Sequence, residues 1–135
     1  METITRKETT DHMEYHENGG VPYLSFPKLS ALDGIVHGFS TRLGGVSEGH
    51  LSSMNLSFSR GDTREHVLEN FSRMSERLGF PMENLVFSMQ THTTNVRRVG
   101  KADCGRGILR PLGYEDVDGL ITDTPGLVLA TFFAD

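Results

Sequence analysis

Between Thr63 and Leu78 the apolar residues Val67, Leu68, Phe71, Met74 and Leu78 recur at i, i+1, i+4, i+7 and i+11. That spacing lays them in one stripe along an α-helix, and such a stripe has to be buried against something else. Asp62 is suited to cap the start, with Glu65 three residues on to close a capping box, and Gly79 followed by Pro81 supplies the stop. The other apolar stretches are all short and bounded by turn residues, which restricts what this helix can pack on.

Those short stretches read as strands. Tyr23 to Phe26 and Ile35 to Phe39 flank a turn near Asp33-Gly34. Leu85 to Met89 and Asn95 to Val99 flank the polar run Gln90-Thr91-His92-Thr93-Thr94, and Gly119 to Thr122 and Leu127 to Phe133 lie around the turn Asp123-Thr124-Pro125-Gly126. Residues Lys101 to Asp116, rich in Gly, are expected to form an irregular excursion. Mostly strands with one clear helix predicts an α+β chain, a mixed β-sheet core with flanking helices, and no internal repeat is visible. Residues 1–20 mix charge, Thr and His without periodicity and are expected to be a flexible leader, leaving 21–135 as part of a single domain. His12 and His16 in that leader have a spacing that suits a metal on a helix, but Gly19-Gly20 and the missing apolar face argue against the helix.

The last apolar run meets Asp135 with no turn or tail, and an acidic residue just past a buried strand is where active-site loops usually begin. The expectation is therefore the front part of a longer protein, with some of its chemistry beyond Asp135. The 13 basic and 18 acidic residues give a net charge of −5, which argues against nucleic acid or an anionic membrane as the main partner and for a small molecule. With the single cysteine Cys104, no apolar leader segment and no stretch long enough to span a bilayer, the chain reads as cytosolic.

Several polar segments could carry chemistry. In Ser40-Thr41-Arg42-Leu43-Gly44-Gly45-Val46-Ser47, paired glycines after a strand could let backbone N–H groups approach an anion. Arg42 adds a planar bidentate donor for phosphate or carboxylate. The alternative is a plain tight turn. Asn55, between Met54 and Leu56, is either a substrate hydrogen-bonder or a loop-fixing amide. His92 stands at a strand end where a site can form, yet no other histidine lies at ligand spacing from it. Cys104, in Asp103-Cys104-Gly105-Arg106-Gly107, reads as an incidental thiol.

Taken in order, His37 to Ser47, Met54-Asn55-Leu56-Ser57, Gly61-Asp62, Glu69-Asn70, Gln90-Thr91-His92, Asp118 to Thr122 and Phe133-Ala134-Asp135 resemble the YfiH-like family, also called the multicopper polyphenol oxidase or laccase-domain family. The likeness covers Tyr23 to Asp135, and its most specific parts are Ser-Thr-Arg-x-Gly-Gly-Val-Ser and Gln-x-His. The resemblance implies a zinc site, with copper as the other candidate metal. Its ligands are the histidine of Gln-x-His, a cysteine directly after Ala-Asp, and a histidine in a later His-x-Gly-Trp segment. His92 is the counterpart of the first. Ala102-Asp103-Cys104 imitates the second but lies out of order, before Asp118.

The activity implied is that of a purine nucleoside phosphorylase acting on inosine or adenosine with phosphate, accompanied by adenosine deamination through metal-activated water. His92 and Arg42 are the implied catalytic residues, and Arg42, Gly44, Gly45, Ser47 and Asn55 the implied substrate contacts. Alternatives within the family are an amidase that edits peptidoglycan precursors and a polyphenol oxidase. Oxidation with several coppers needs a dense His and Cys ligand set, and this chain has no His-x-His pair. The alternative from another class is a non-catalytic binding module.

Overall fold

The computed structural model describes residues 12–133. The chain divides into two compact units, Met1–Leu78 and Gly79–Asp135. In the first unit, β1 (Glu14–His16), β2 (Tyr23–Ser25) and β3 (Phe39–Ser40) form an antiparallel sheet in the order β1-β2-β3, with Tyr15 opposite Leu24 and Leu24 opposite Phe39. Strand β1 lies inside the stretch expected to be a leader. It is polar, and what holds it is pairing with β2, the His16 ring stacked 4.4 Å from the Tyr23 ring, and the 2.7 Å contact of His16 Nε2 with Ser25 Oγ. Residues 1–11 of that stretch, and Ala134-Asp135 of the family-like segment, lie outside the described residues.

The second predicted strand forms only at its end. Between β2 and β3 the chain makes a short helix, α1 (Pro27–Ser30), started by a proline whose fixed φ suits the first turn. The connection is then tied back where the Phe26 N–H donates to His37 Nε2 at 2.7 Å.

The predicted long helix is α2 (Arg64–Leu78). Its stripe buries Val67, Phe71 and Met74, each worth about 1.5–3 kcal/mol on transfer from water. Met74 joins Val21 and Met54 in a core flanked by Tyr23, Leu56 and Leu78. The cap differs from expectation. Thr63, not Asp62, receives the helix N-terminus, its Oγ1 accepting the His66 N–H at 3.2 Å.

In the second unit, β4 (Leu85–Phe87) pairs in parallel with β7 (Val128–Ala130), and β5 (Val96–Arg98) in parallel with β6 (Gly119–Ile121). Strand β4 is buried along its whole length, as a continuous apolar run in a parallel pair should be. The excursion after β5 is ordered by packing on it. Gly105 N–H donates to Leu85 O at 2.7 Å, Phe87 N–H donates to Arg106 O at 3.0 Å, and Ile108 is 1% exposed. Gly107 has φ +93°, and a Cβ there would sit 2.7 Å from Phe87 Cβ. Cys104 is half-buried with its thiol 4.0 Å from Asn84 Oδ1. Among the described residues no helix is long and apolar enough to cross a membrane.

Candidate functional site

In the first unit the loop that follows β3 is latched to residues 52–54. The Arg42 carbonyl accepts the N–H groups of Ser53 (2.8 Å) and Met54 (3.0 Å) and the Ser53 hydroxyl (3.0 Å), while Arg42 Nη2 donates to the Ser52 carbonyl at 3.2 Å. The two strands of chain come this close because residue 45 has no side chain. A Cβ on Gly45 would lie 2.0 Å from Ser53 O and 2.6 Å from Met54 Cα. Gly44 has φ +91° and faces Gly20 O at 2.5 Å from an ideal Cβ.

Beneath the loop is a polar hub. Asn70 on α2 is fully buried; its amide donates to Ser47 Oγ (2.9 Å) and Asn55 O (2.8 Å), and its Oδ1 accepts the Val46 N–H at 2.8 Å. Ser47 donates in turn to Asp62 Oδ2 at 2.5 Å, and Asn55 Nδ2 reaches the same oxygen at 3.0 Å. Asp62 Oδ1 accepts from Thr63 N–H and lies 3.2 Å from His66 Nδ1. These donors, Ser47 foremost and then Asn55, lower the Asp62 pKa to about 2 from 3.8, against the opposing effect of burial.

This arrangement bears on the readings left open by the sequence. Gly45 N–H donates to Ser53 Oγ (3.1 Å), Val46 N–H to Asn70 and Ser47 N–H to Ser53 O (2.9 Å), so these amides are engaged within the chain and do not cradle an anion. Ser47 is 4% exposed and Asn55 closes its own loop through Ser57, so both fix the backbone as Asn70 does. Arg42 alone of this group is exposed. It lines a hollow of about 150 Å3 together with His50, Leu51, Ser52, Met54 and Asn55, a set with no carboxylate.

In the second unit β4 runs through Ser88 and Met89 into Gln90-Thr91-His92. The Asp118 carboxylate, directly before β6, holds that loop by accepting Thr91 N–H and His92 N–H, each at 2.9 Å, and Thr93 Oγ1–H at 3.1 Å. These bonds, that from Thr91 first, lower the Asp118 pKa. His92 is held at φ +63°, in the left-handed region that a histidine seldom adopts, and its side chain is exposed. The bracing by Asp118 was not legible as such, although an acidic residue abutting a strand next to a His-bearing loop is the kind of signal that marks it.

A catalytic zinc site uses three protein ligands and an open position. Among the described residues no group of three His, Cys, Asp or Glu side chains could hold a metal ion. His92 therefore offers one ligand, and the described donor set does not by itself fit the metal centre that the resemblance implies.

Residues 36–135 match the family described as multi-copper polyphenol oxidoreductase laccase. Purine nucleoside phosphorylase YlmD of Geobacillus stearothermophilus is 40% identical over 103 residues, 76% of this chain and 38% of the relative. A purine nucleoside phosphorylase of Bacteroides thetaiotaomicron is 36% identical over 113 residues, 83% of this chain and 42% of the relative. The crystal structure of the Geobacillus stearothermophilus YlmD superposes with a TM-score of 0.77 at 35% identity, covering 93% of this chain and 45% of that one. That of Bacillus licheniformis hypothetical protein YfiH gives 0.78 at 30% identity, covering 90% and 44%. The chain thus spans about two fifths of the length of the curated relatives it matches.

Proposed function

We propose, on the premise that this chain belongs to the multi-copper polyphenol oxidoreductase laccase family, that it forms part of a purine nucleoside phosphorylase in which Arg42 holds the attacking phosphate. The observation that carries this reading is the hollow of about 150 Å3 with Arg42 on its wall, fixed through backbone and side chain, and no carboxylate lining it. The substrate class is supported by the relatives at 40% and 36% identity, both named purine nucleoside phosphorylases.

In phosphorolysis a phosphate oxygen bonds to the anomeric carbon of the ribose while the bond from that carbon to the purine nitrogen breaks, its electron pair leaving with the base. Two things are asked of the protein at the phosphate end. The anion has to be concentrated and aimed, and its charge has to face the carbon as positive charge develops there. A guanidinium does both with parallel N–H donors, and one fixed in advance needs no reorganisation during the reaction. In the second unit the proposed reactive side chain is His92, carried forward by the loop that Asp118 braces. An imidazole can donate, accept or ligate from such a position.

The test is turnover of inosine and adenosine by the protein that carries this chain, with and without phosphate. Release of the free base in step with phosphate consumption, lost in Arg42→Ala, is the expected result. Base release that ignores phosphate, or an unchanged rate in Arg42→Ala, would rule out the phosphate-holding role. Activity confined to a muramyl-serine nucleotide or to a phenolic laccase substrate would replace the reading with amide hydrolysis or oxidation.

A further inference from the structure

We infer that the hollow beside Arg42 is a subsite for a single tetrahedral oxyanion and that His50 is its second contacting side chain, which rests on the phosphate-holding role proposed for Arg42. Size comes first. About 150 Å3 is well short of the roughly 300–1,000 Å3 of sites that enclose a small organic ligand, and it is room enough for a phosphoryl group.

The chemistry of the lining agrees. Arg42 is cationic, His50 carries a ring N–H donor, and Leu51, Ser52, Met54 and Asn55 complete the wall without a negative charge. Glu48, the nearest carboxylate in sequence, does not line the hollow. His50 also has no structural duty that would account for it. It is exposed, and its ring makes no hydrogen bond or ion pair with the described residues.

Both side chains are presented by one rigid scaffold. His50 sits in the 3-10 turn Gly49–Leu51, closed by Leu51 N–H to Glu48 O (3.2 Å) and Ser52 N–H to Gly49 O (3.1 Å). Gly49 at φ +59° starts that turn. The residues that follow it, Ser52 to Met54, are the ones latched to Arg42 through its carbonyl and its Nη2. The backbone at His50 is therefore tied to the backbone at Arg42 by hydrogen bonds, and both side chains line the one hollow that an oxyanion would enter.

The ligand chemistry is a phosphoryl group, whether of inorganic phosphate or of a pentose 1-phosphate. The experiment is a titration of the chain with inorganic phosphate, and in parallel with ribose 1-phosphate, followed by amide chemical shifts at constant ionic strength adjusted with chloride. Wild type should show saturable shifts at residues 42 and 49–54. His50→Ala should bind about three- to tenfold more weakly with the rest of its spectrum unchanged, and His50→Gln, whose amide keeps an NH2 donor group, should fall between. Weaker binding of either ligand in His50→Ala supports the inference. Unchanged binding of both in His50→Ala, with binding lost in Arg42→Ala, overturns the role of His50 and leaves that of Arg42 standing. No saturable shift in the wild type overturns both.

Discussion

The two oxygens of Asp118 accept the N–H groups of Thr91 and His92, each at 2.9 Å, so the backbone that carries the His92 imidazole is fixed by one carboxylate. His92 needs this support because its φ of +63° costs a non-glycine residue about 1–2 kcal/mol, which the surrounding bonds have to offset.

Asp118→Asn should release that loop. An amide has one accepting oxygen, so one of the two N–H groups loses its partner. Hydrogen exchange at Thr91 and His92 is expected to quicken roughly tenfold, with little change at β4. Because the Asp118 pKa is lowered in the folded chain, the wild-type loop should keep its protection above the ordinary carboxylate range and lose it as the pH falls through the lowered value. In Asp118→Asn that acid dependence should be missing.

Asp62 sets a second pH dependence, this time of the first unit. Its folded pKa of about 2 lies below the 3.8 of an unpaired aspartate, so the folded state favours the ionised form. The stabilisation is complete above about pH 5 and is withdrawn as the pH falls from about 4 through 2, and only below both values do folded and unfolded chains bind the proton alike. Urea midpoints measured between pH 6 and pH 2 should fall steeply over that acid window in the wild type and less steeply in Asp62→Asn. Parallel curves for the two proteins would contradict the assignment.

The sequence made α2 legible because a stripe at helical period needs only local information, and Val67, Phe71 and Met74 are buried as that period requires. It misled at the cap. Asp62 and Thr63 are both good capping residues, and only the folded loop shows Asp62 engaged by Ser47 and Asn55. Strand β1 was missed because Glu14-Tyr15-His16 carries no apolar alternation; its pairing with β2 is a non-local choice. The parallel pairing of β4 with β7 and β5 with β6 joins segments far apart in sequence, which local patterns do not encode. At the candidate site Arg42 and His92 were visible as residue types after strands. The structural duty of Ser47 and Asn55 was less so, since it depends on Asn70, although a polar residue on the face shared by Val67, Phe71 and Met74 is itself a signal of a buried polar hub.

That hub predicts an uneven mutational response. Asn70→Ala removes three hydrogen bonds at a fully buried position and leaves the Val46 N–H and the Asn55 carbonyl without their partner. A loss of about 2–4 kcal/mol is expected in chemical denaturation. Glu69→Ala, one residue away on the exposed side of α2, removes only a surface pair with Arg73 and should cost no more than about 0.5 kcal/mol.

Gly45 and Gly49 should separate two reasons for glycine in one short loop. At Gly45 the obstacle is space: the added Cβ would meet the Ser53 carbonyl oxygen at 2.0 Å and Met54 Cα at 2.6 Å, and both are backbone atoms that cannot swing aside. Gly45→Ala must therefore part the latch between Arg42 and residues 52–54, at a cost of about 3 kcal/mol or more. At Gly49 there is open space around a Cβ, and only the left-handed backbone at φ +59° resists substitution, so Gly49→Ala should cost about 1–2 kcal/mol. Thermal melts of the two variants give the order directly. Phosphate titrations should then weaken far more in Gly45→Ala, because it displaces Arg42, than in Gly49→Ala, which leaves the latch closed. The reverse order would mean that the latch does not position Arg42.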